Sequence, residues 1–258
     1  MSKTVLSIRG VSHRFGADRD GGTLALAAID LDVPDGQFVA VVGPSGCGKS
    51  TLLSLVAGLR RPTAGELRCD GEPITAPMPR KIGMIFQEAN LLPWLSAVDN
   101  VAFPLKLRRV AKAERRAAAR RMLALTGLAG FEDKLPHQLS GGMKQRVAIA
   151  RGLVQDPAVL LMDEPFASLD EQTRMLLGDE LLRIWSETRK TVLFVTHSLN
   201  EAVYLADRVI VLSARPGRIV DDVAVDLPRP RTFAMTSTER FGVLKDRIWQ
   251  HIRRAERP

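Results

Sequence analysis

Short runs of consecutive apolar residues recur along this chain of 258 residues, separated by longer segments with the periodicity of a helix. Four of these runs stand out, at residues 38–42, 159–162, 191–195 and 209–212. Continuous apolar runs of this length are typical of strands in a parallel sheet that is covered on both faces. Helical periodicity follows the second and third runs, at 171–187 and 200–206. The pattern therefore predicts an α/β fold built around a parallel sheet.

The amino-terminal region and one later segment have a different, β-rich pattern. Residues 4–37 alternate short β-type segments with turns, and a polar loop is predicted within them at 17–22. A further strand and turn are predicted at 65–71. These short strands indicate a second, smaller sheet.

A helical segment interrupts the α/β pattern between about residues 88 and 156. Ser96 and Asp99 form a capping box that opens its first helix, and further helices are predicted at 111–126 and 142–155. We therefore expect a helical insertion between the strands of the main sheet.

The carboxyl-terminal end is predicted to be a short helical tail. Residues 227–231 contain two prolines and form an extended linker, because proline cannot continue a helix. Residues 236–239 are then predicted to cap a helix, whose apolar positions have three- and four-residue spacing: Phe241, Leu244, Ile248 and Ile252. We therefore expect one large domain at residues 1–231, with its helical insertion at about 88–156, and a tail at 232–258.

Composition narrows the expected location of the chain. Its apolar content is 45%, yet no stretch approaches the roughly 18 consecutive apolar residues of a membrane helix. Residues 1–9 lack the apolar core of a signal peptide, and the isolated Cys47 and Cys69 indicate no disulfide framework. We therefore expect a chain that works in a reducing compartment, in the cytosol or on the cytosolic side of a membrane.

The chain is basic, with a formal net charge of +8 at pH 7. Such a charge makes nucleic acid a candidate partner. Much of the excess positive charge, however, lies in residues 106–121, and much of that segment is alanine-rich and predicted to be an exposed helix. That segment has two interpretations, a solvated helix face or a surface attracted to the anionic cytoplasmic leaflet. Aromatic residues are not interleaved with the basic ones, so we expect no nucleic-acid partner.

The first segment with specific chemistry is residues 43–51, Gly-Pro-Ser-Gly-Cys-Gly-Lys-Ser-Thr. It matches a phosphate loop and lies between an apolar strand and a helix, as this motif requires. Glycines let backbone N–H groups surround an anion, and the following helix directs its positive dipole end at the same charge. Lys49 is predicted to reach the β- and γ-phosphates of a nucleoside triphosphate, and Ser50 to bind Mg²⁺. The alternative, a glycine-rich turn with a chance lysine, does not account for the flanking strand and helix.

A second segment, Leu-Ser-Gly-Gly-Met-Lys-Gln-Arg at residues 139–146, opens another predicted helix. By itself it has two interpretations, a second helix N-terminus that binds phosphate or an ordinary helix capped by Ser140. Together with the phosphate loop it resembles the signature of ATP-binding cassette (ABC) ATPases, and the resemblance covers nearly the whole chain. It implies an α/β fold with a P-loop NTPase core, a mixed or parallel sheet, an amino-terminal antiparallel β subdomain and a helical insertion subdomain.

Two carboxylates, Asp163 and Glu164, follow the apolar run at 159–162. Residues at the carboxyl end of such a strand face the crevice where open α/β sheets bind ligands. An ordinary solvated turn is the alternative. In the family, the residue that matches Asp163 holds Mg²⁺ through water, and the one that matches Glu164 polarises the attacking water.

Three further residues are assigned by the resemblance alone. Gln87 matches the glutamine that contacts Mg²⁺ and water, Asp170 lies in the loop that crosses between the two cassettes of a dimer, and His197 matches the histidine that contacts the γ-phosphate. The other histidines have no such context and are expected at the surface or in packing: His13, His137 and His251.

The resemblance thus implies ATP and Mg²⁺ as cofactors. Catalysis is assigned to Glu164, His197 and Gln87, and metal binding to Ser50, Gln87 and Asp163. Nucleotide binding is assigned to a larger set: Phe15, Gly43, Pro44, Ser45, Gly46, Cys47, Gly48, Lys49, Ser50, Thr51, Ser140, Gly141, Gly142 and Asp170.

Two positions depart from the commonest family pattern. Phe15 stands where tyrosine is often found, and its ring is predicted either to stack on adenine or to lie in the core of a small β-sheet. Ser198 stands where an acidic residue often follows the histidine, but with Glu201 it forms a capping box that still opens the next helix. Neither departure argues against ATP hydrolysis.

The resemblance also implies partners. In the family, two cassettes pack head to tail, so that the Ser140–Gly142 turn of one faces the phosphate loop of the other. A chain with no membrane segment must pass its motion to another protein, and integral membrane permease subunits are the expected receiver, with a solute-binding protein acting indirectly. This implies a peripheral protein at the cytoplasmic face of the plasma (inner) membrane. The alternatives are an exporter motor and an ABC ATPase that acts on DNA or the ribosome.

Three stretches, at 86–95, 201–208 and 212–218, resemble the importer motors for nitrate, alkanesulfonates and taurine. The first contains the segment Leu-Leu-Pro-Trp at residues 91–94. That segment is predicted either to receive a cytoplasmic helix of the permease or to form a core-packing corner. We therefore expect the motor of an importer for a small solute of this type.

Overall fold

The computed structural model describes residues 3–16 and 22–255. These residues form ten strands and seven α-helices, in the order β1 (Thr4–Phe15), β2 (Thr23–Pro34), β3 (Phe38–Val42), α1 (Lys49–Val56), β4 (Ala64–Cys69), β5 (Glu72–Pro73), β6 (Ile82–Ile85), α2 (Ala97–Leu107), α3 (Lys112–Leu125), α4 (Gly141–Leu153), β7 (Val159–Asp163), α5 (Glu171–Thr188), β8 (Thr191–Val195), α6 (Leu199–Leu205), β9 (Arg208–Leu212), β10 (Ile219–Ala224) and α7 (Glu239–Ala255).

The chain divides into two compact units. The first combines residues 1–78 with 189–258, and the second consists of residues 79–188. The first unit therefore contains β1 to β5, α1 and every element from β8 onward, and the second contains β6, β7 and α2 to α5.

The first unit contains an antiparallel sheet in the order β2-β1-β4-β5. One face of β1 and β2 is apolar and buried: Leu6, Ile8, Val11, Ile29, Leu31 and Val33. This confirms the β-rich pattern at 4–37, and the strand and turn predicted at 65–71 are β4 and the turn that joins it to β5. Of the polar loop predicted at 17–22, all but Gly22 lies outside the described residues.

The second sheet of this unit has β3 at its centre. Strand β3 pairs in parallel with both β8 and β9, and β10 pairs antiparallel with β9. Every residue of β3 and β8 is buried, which is why these strands are continuous apolar runs rather than alternating ones. The mixed α/β architecture predicted from the sequence is confirmed.

The second unit pairs β6 with β7 in parallel and adds a helical cluster. Helix α2 begins at Ser96, whose side chain accepts a hydrogen bond from the Asp99 backbone N–H at 3.4 Å, as the capping box predicts. The predicted helices 111–126 and 142–155 are α3 and α4, within two residues at each end. The three helices share one apolar core: Ala97, Val98, Val101, Ala102, Ala119, Leu123, Leu128, Leu139, Val147 and Ala150.

The tail forms the predicted helix, α7, and a residue within the predicted capping stretch 236–239 caps it. The cap is Thr238, whose Oγ1 accepts from the Phe241 backbone N–H at 3.4 Å. The sequence prediction began the cap at Thr236, which instead belongs to a 3₁₀ turn at Phe233–Ser237 and donates its hydroxyl to the Phe233 carbonyl at 2.7 Å. The apolar positions of α7 are buried as predicted: Phe241, Leu244, Ile248 and Ile252.

The linker before α7 holds the end of another helix. Buried Arg231 donates hydrogen bonds to the carbonyls of Val203, Tyr204 and Ala206 at the end of α6. Burial lowers the pKa of this guanidinium from 12.5 to about 10. The arginine thus satisfies carbonyl groups that a helix end leaves without intrahelical partners.

The basic segment forms an exposed helix, as the sequence predicts. Helix α3 buries only Ala119 and Leu123, and Arg116 on it pairs with Asp99 at 2.6 Å. Cys47 and Cys69 are both buried. Within residues 3–16 and 22–255, no helix has the length and apolar character needed to cross a bilayer.

Candidate functional site

The parallel strands of the first unit bring three loops to one edge of their sheet. Val41 of β3 lies opposite Val195 of β8, and Val42 lies opposite Val211 of β9. The segments that follow these strands therefore leave the sheet at the same level: the phosphate loop at 43–51, the segment that contains His197, and the loop at 213–218. This is the edge at which open α/β sheets bind ligands.

The phosphate loop leads into a helix that has no side-chain cap. Gly48 is the N-cap of α1, with φ of +104°, and a Cβ atom at this position would lie 2.7 Å from Leu26 Cδ2. Gly46 also has a positive φ of +71°, a conformation that glycine adopts without strain. The start of α1 is thus formed by backbone alone, as an anion site at a helix N-terminus requires.

Lys49 lies inside this loop rather than in solvent. Its side chain is buried, and Nζ donates to the carbonyls of Gly43 at 2.9 Å and Pro44 at 3.0 Å. The ammonium also lies 3.9 Å from the Cys47 Sγ, and burial raises the pKa of that thiol even though Lys49 opposes the shift. A fixed positive charge therefore sits within a ring of backbone groups, which fits a bound phosphate. Ser50 and Thr51 follow on the first turn of α1, Ser50 exposed and Thr51 half-buried.

Phe15 lies at the end of β1 with 38% of its surface exposed. The edge of the His13 ring contacts it at a centroid distance of 4.7 Å, and the Arg60 guanidinium lies 5.1 Å from its centroid. The ring is therefore at the surface and not in the core of the small sheet, and its stacking role stays a prediction. His13 is buried with Nδ1 3.1 Å from the Arg61 carbonyl, so it has the packing role predicted for it.

His197 is exposed at the end of the segment that follows β8. The next residue, Ser198, caps α6, because its Oγ accepts from the Glu201 backbone N–H at 3.3 Å. This is the hydroxyl half of the predicted capping box. The Glu201 carboxylate accepts from Thr196 Oγ1 at 2.6 Å, and Thr196 Oγ1 accepts from the Ser198 N–H at 3.0 Å.

The second unit brings a separate set of residues to one edge. Ile85 of β6 lies opposite Met162 of β7, so Gln87 and the pair Asp163 and Glu164 follow paired strands at the same level. Gln87 is exposed and the two carboxylates are half-buried. Glu164 has φ of +44°, an uncommon conformation for a residue with a side chain, and such strain is concentrated at functional sites.

The signature segment packs against the start of α5 in the same unit. Ser140 caps α4 by accepting from the Met143 backbone N–H at 3.3 Å. A Cβ atom on Gly142 would lie 3.0 Å from Thr173 Cγ2, so the two segments approach closely because this position has no side chain. Thr173 in turn donates from its N–H and Oγ1 to the Asp170 carboxylate, at 2.9 and 2.7 Å. The Thr173 N–H holds the pKa of Asp170 below its ordinary value.

Two residues that the sequence analysis did not identify fix α4 to the segment after β6. The buried side chain of Gln145 donates to the Phe86 carbonyl at 3.4 Å. Arg151 donates to the carbonyls of Ala89 at 2.6 Å and Asn90 at 2.8 Å, and burial lowers its pKa. Their acceptors are backbone atoms about sixty residues away, so no local sequence signal indicates these contacts.

The structure thus assembles the predicted residues as two sets, one in each unit. Phe15, the phosphate loop and His197 belong to the first, and Gln87, Asp163, Glu164, Ser140–Gly142 and Asp170 belong to the second. Among the described residues, no cluster of three or more histidine, cysteine or acidic side chains is arranged to hold a metal ion. Mg²⁺ in nucleotide enzymes is held by one or two protein groups together with the phosphates, so the metal roles of Ser50, Gln87 and Asp163 stay predictions.

Comparisons with known proteins agree with this architecture. The profile of the ABC transporter family matches residues 26–167. The chain is 50% identical over 234 residues to an uncharacterized ABC transporter ATP-binding protein, MJ0412, of Methanocaldococcus jannaschii, covering 89% of this chain and 87% of that protein. It is 43% identical over 249 residues to the aliphatic sulfonates import ATP-binding protein SsuB of Bacillus cereus, covering 96% of each.

A solved structure shares the fold. It is the dimeric post-hydrolysis state of the ATP-binding cassette MJ0796 bound to ADP and Pi, with a TM-score of 0.75, 33% identity, and coverage of 86% of this chain and 100% of that chain. The family profile and the relatives span the strands and loops that carry the phosphate loop, the signature segment and the paired carboxylates. The chain therefore belongs to the ABC transporter family, as an ATP-binding cassette that is an ATPase.

Proposed function

We propose that this cassette is the motor subunit of an importer for a small solute of the nitrate, alkanesulfonate or taurine type. The ATP-dependent part of this proposal rests on one observation. Helix α1 starts without a side-chain cap, and the buried side chain of Lys49 lies at that start. The importer part is supported by 43% identity to the aliphatic sulfonates import protein over 96% of the chain.

Nucleotide binding is proposed to use both charge and backbone. Lys49 contacts the β- and γ-phosphates, exchanging its carbonyl partners in the loop for phosphate oxygens. The glycine-rich backbone and the dipole of α1 bind the same group. Phe15 stacks on adenine with its exposed ring face. Ser50 and Asp163 would hold Mg²⁺, which would supply positive charge to neutralise the phosphates.

Hydrolysis is proposed to use Glu164 as the residue that polarises water. The water oxygen attacks the γ-phosphorus, the bond from that phosphorus to the β–γ bridging oxygen breaks, and ADP and phosphate leave. Glu164 accepts a proton from the water as it attacks. Gln87 contacts Mg²⁺ and this water, and His197 contacts the γ-phosphate.

A second copy of the chain is proposed to complete each site. The solved relative of this fold is dimeric, and in a head-to-tail pair the Ser140–Gly142 turn of one copy faces the phosphate loop of the other. Asp170 lies in the segment that crosses between the copies. ATP closes the pair and hydrolysis releases it.

The segment after Gln87 is proposed to receive a cytoplasmic helix of the permease. Trp94 is 72% exposed, and Leu91 packs against the helical core beside it. Buried Asn100 fixes the segment by accepting from the Leu92 N–H at 2.8 Å and donating to the carbonyls of Leu92 and Leu95. A rigid segment with one exposed indole suits a docking site. This role places the chain at the cytoplasmic face of the plasma membrane as a peripheral protein.

The catalytic proposal is tested by a matched pair of variants. Glu164→Gln keeps the shape of the side chain but cannot accept a proton, so ATP binding stays unchanged while turnover falls by about a hundredfold or more. Glu187→Gln, at the exposed end of α5, serves as the control and keeps wild-type turnover. Steady-state phosphate release and equilibrium ATP binding measure both. Wild-type turnover by Glu164→Gln would remove Glu164 from the mechanism.

The importer proposal is tested in cells. Integral membrane permease subunits and a solute-binding protein are expected to co-purify with the chain, and that solute-binding protein is expected to bind a sulfonate, taurine or nitrate. A deletion strain is expected to lose growth on one of these as sole sulfur or nitrogen source. Unchanged growth on all of them, without a redundant system, would contradict the solute assignment and leave the ATPase assignment intact.

A further inference from the structure

The loop at 213–218, which we name the bracing loop, follows β9 and has a fixed internal shape. Its first and last residues pair, because the Ser213 N–H donates to the Arg218 carbonyl at 2.9 Å. Ser213 Oγ accepts from the Arg218 N–H at 2.9 Å and lies within hydrogen-bond distance of the carbonyls of Ala214 and Pro216. The loop is therefore ordered by its own hydrogen bonds and does not depend on a ligand for its shape.

The bracing loop is also attached to strand β2. The Gly217 N–H donates to the Ala25 carbonyl at 2.8 Å, and the Ala27 N–H donates to the Gly217 carbonyl at 3.0 Å. These two bonds attach the loop to the edge strand of the small antiparallel sheet. The bracing loop thus has backbone contacts outside the phosphate loop.

Two contacts join the bracing loop to the phosphate loop. A Cβ atom on Gly217 would lie 2.2 Å from the Cys47 carbonyl oxygen, so the two backbones touch at this point. The Arg215 guanidinium reaches the Gly46 carbonyl, with Nη2 at 3.2 Å and Nε at 3.4 Å. Both contacts fall on the part of the phosphate loop between its first glycine and Lys49.

Gly46 is a residue of the phosphate loop whose backbone is not restrained by a side chain. It is exposed, has φ of +71° and has no side chain to limit its backbone. A loop that is mobile before binding must lose conformational entropy when the ligand arrives, which weakens affinity. A charged donor on the Gly46 carbonyl fixes the orientation of that peptide in advance, and charge-assisted hydrogen bonds are stronger than neutral ones.

We propose that Arg215 is a positioning residue for the nucleotide: it holds the Gly46 peptide so that the phosphate loop is ordered before ATP binds. This inference rests on the proposed nucleotide site and adds a residue 169 positions away in sequence. Arg215 acts through the loop backbone and has no part in the chemical step. Its loss therefore raises the KM for ATP and leaves kcat unchanged.

The test compares Arg215→Ala and Arg215→Lys with a control on the same loop, Arg218→Ala. Arg218 is exposed, and its backbone N–H and carbonyl form the hydrogen bonds with Ser213 that close the loop. Equilibrium binding of ATP and ADP with Mg²⁺ is measured for each variant, together with steady-state hydrolysis and thermal unfolding. Arg215→Ala is expected to weaken both nucleotides about tenfold, as the loss of one charge-assisted hydrogen bond predicts. Arg215→Lys is expected to restore part of that loss, and Arg218→Ala to remain within twofold of wild type.

The outcomes separate this inference from the proposed function. Nucleotide binding by Arg215→Ala within twofold of wild type overturns the inference, as does a fall in kcat with an unchanged KM, while the ATPase assignment stands. A loss of affinity shared equally by Arg218→Ala would show a general charge effect and also overturn it. Failure of the wild-type chain to bind ATP would overturn both proposals.

Discussion

The N-terminus of α1 carries no side-chain cap, whereas the N-terminus of α4 is capped by the Ser140 hydroxyl. At α1 the N-cap is Gly48 in a left-handed conformation, and the nearby charge is the buried Lys49 ammonium. At α4 the N-cap is extended, and its Oγ already accepts from the Met143 N–H. The two helix starts share a glycine-rich sequence but differ in what satisfies their backbone.

The difference indicates two roles in nucleotide binding. A helix start built from backbone alone suits an anion, which supports the proposal that α1 binds phosphate within its own chain. At α4 the Ser140 hydroxyl already accepts from the Met143 N–H, so this helix start does not depend on an anion bound by its own chain. This agrees with the proposal that α4 acts on the nucleotide of a second copy.

The largest expected effect is on ATP affinity, and it distinguishes the start of α1, which has a lysine charge, from the start of α4. Lys49→Ala removes the cation from the phosphate loop, so ATP affinity is expected to fall about a hundredfold or more. Ser140→Arg changes only the start of α4, so the isolated chain is expected to bind ATP as tightly as wild type while its turnover is lost. Equilibrium ATP binding at low protein concentration, with phosphate release, measures both. Equal losses of affinity would contradict the comparison.

A steric change tests how far the start of α1 depends on its contact with the bracing loop. Gly217→Ala places a Cβ atom against the Cys47 carbonyl oxygen, so the phosphate loop must shift, with about 1–3 kcal/mol of lost stability and about a tenfold loss of ATP affinity. Gly242→Ala is the control, because no atom lies within 4 Å of the new Cβ and the position is inside α7. Alanine there is expected to raise stability by about 0.5–1 kcal/mol. Denaturant unfolding measures the change in stability of each variant, and equilibrium binding measures the change in its ATP affinity.

The smallest effect concerns the capped helix. Ser140→Ala and Ser96→Ala each remove the side-chain cap of a helix in the same unit, so each is expected to cost about 1 kcal/mol of stability. Only Ser140→Ala is expected to lower ATP turnover as well. Urea unfolding measures the stability lost with each cap, and phosphate release shows whether Ser140 also contributes to turnover. Unchanged turnover in Ser140→Ala would leave Ser140 with the structural role alone.

Local chemistry explains what the sequence could predict. Buried strands such as β3 and β8 are recognisable because both faces are covered and the apolar run is continuous. The caps Ser96 and Ser140 bond to backbone only three residues away, so their signal is contained in a few letters. The family motifs likewise lie in short segments, although the roles assigned to their residues stay predictions.

Contacts between distant segments explain what the sequence could not predict. Arg215 and Gly46 are 169 residues apart, and Arg151 and Ala89 are 62 apart, and in both contacts the acceptor is a backbone carbonyl with no sequence signature. The cap of α7 is Thr238, one of two threonines in the predicted capping stretch 236–239, and both hydroxyls donate to carbonyls of the preceding 3₁₀ turn. A short sequence pattern does not indicate which of the two then accepts from the first turn of the helix.

The central claim is that α1 binds ATP within one chain and α4 acts on the ATP of another. The most direct measurement is sedimentation of the hydrolysis-deficient Glu164→Gln chain with ATP and Mg²⁺, beside the double variant Glu164→Gln/Ser140→Arg. The account predicts that the single variant forms a dimer with ATP and not with ADP. It predicts that the double variant remains monomeric and binds ATP with unchanged affinity. Dimers of the double variant equal to those of the single variant, or a loss of ATP binding by its monomer, would contradict the claim.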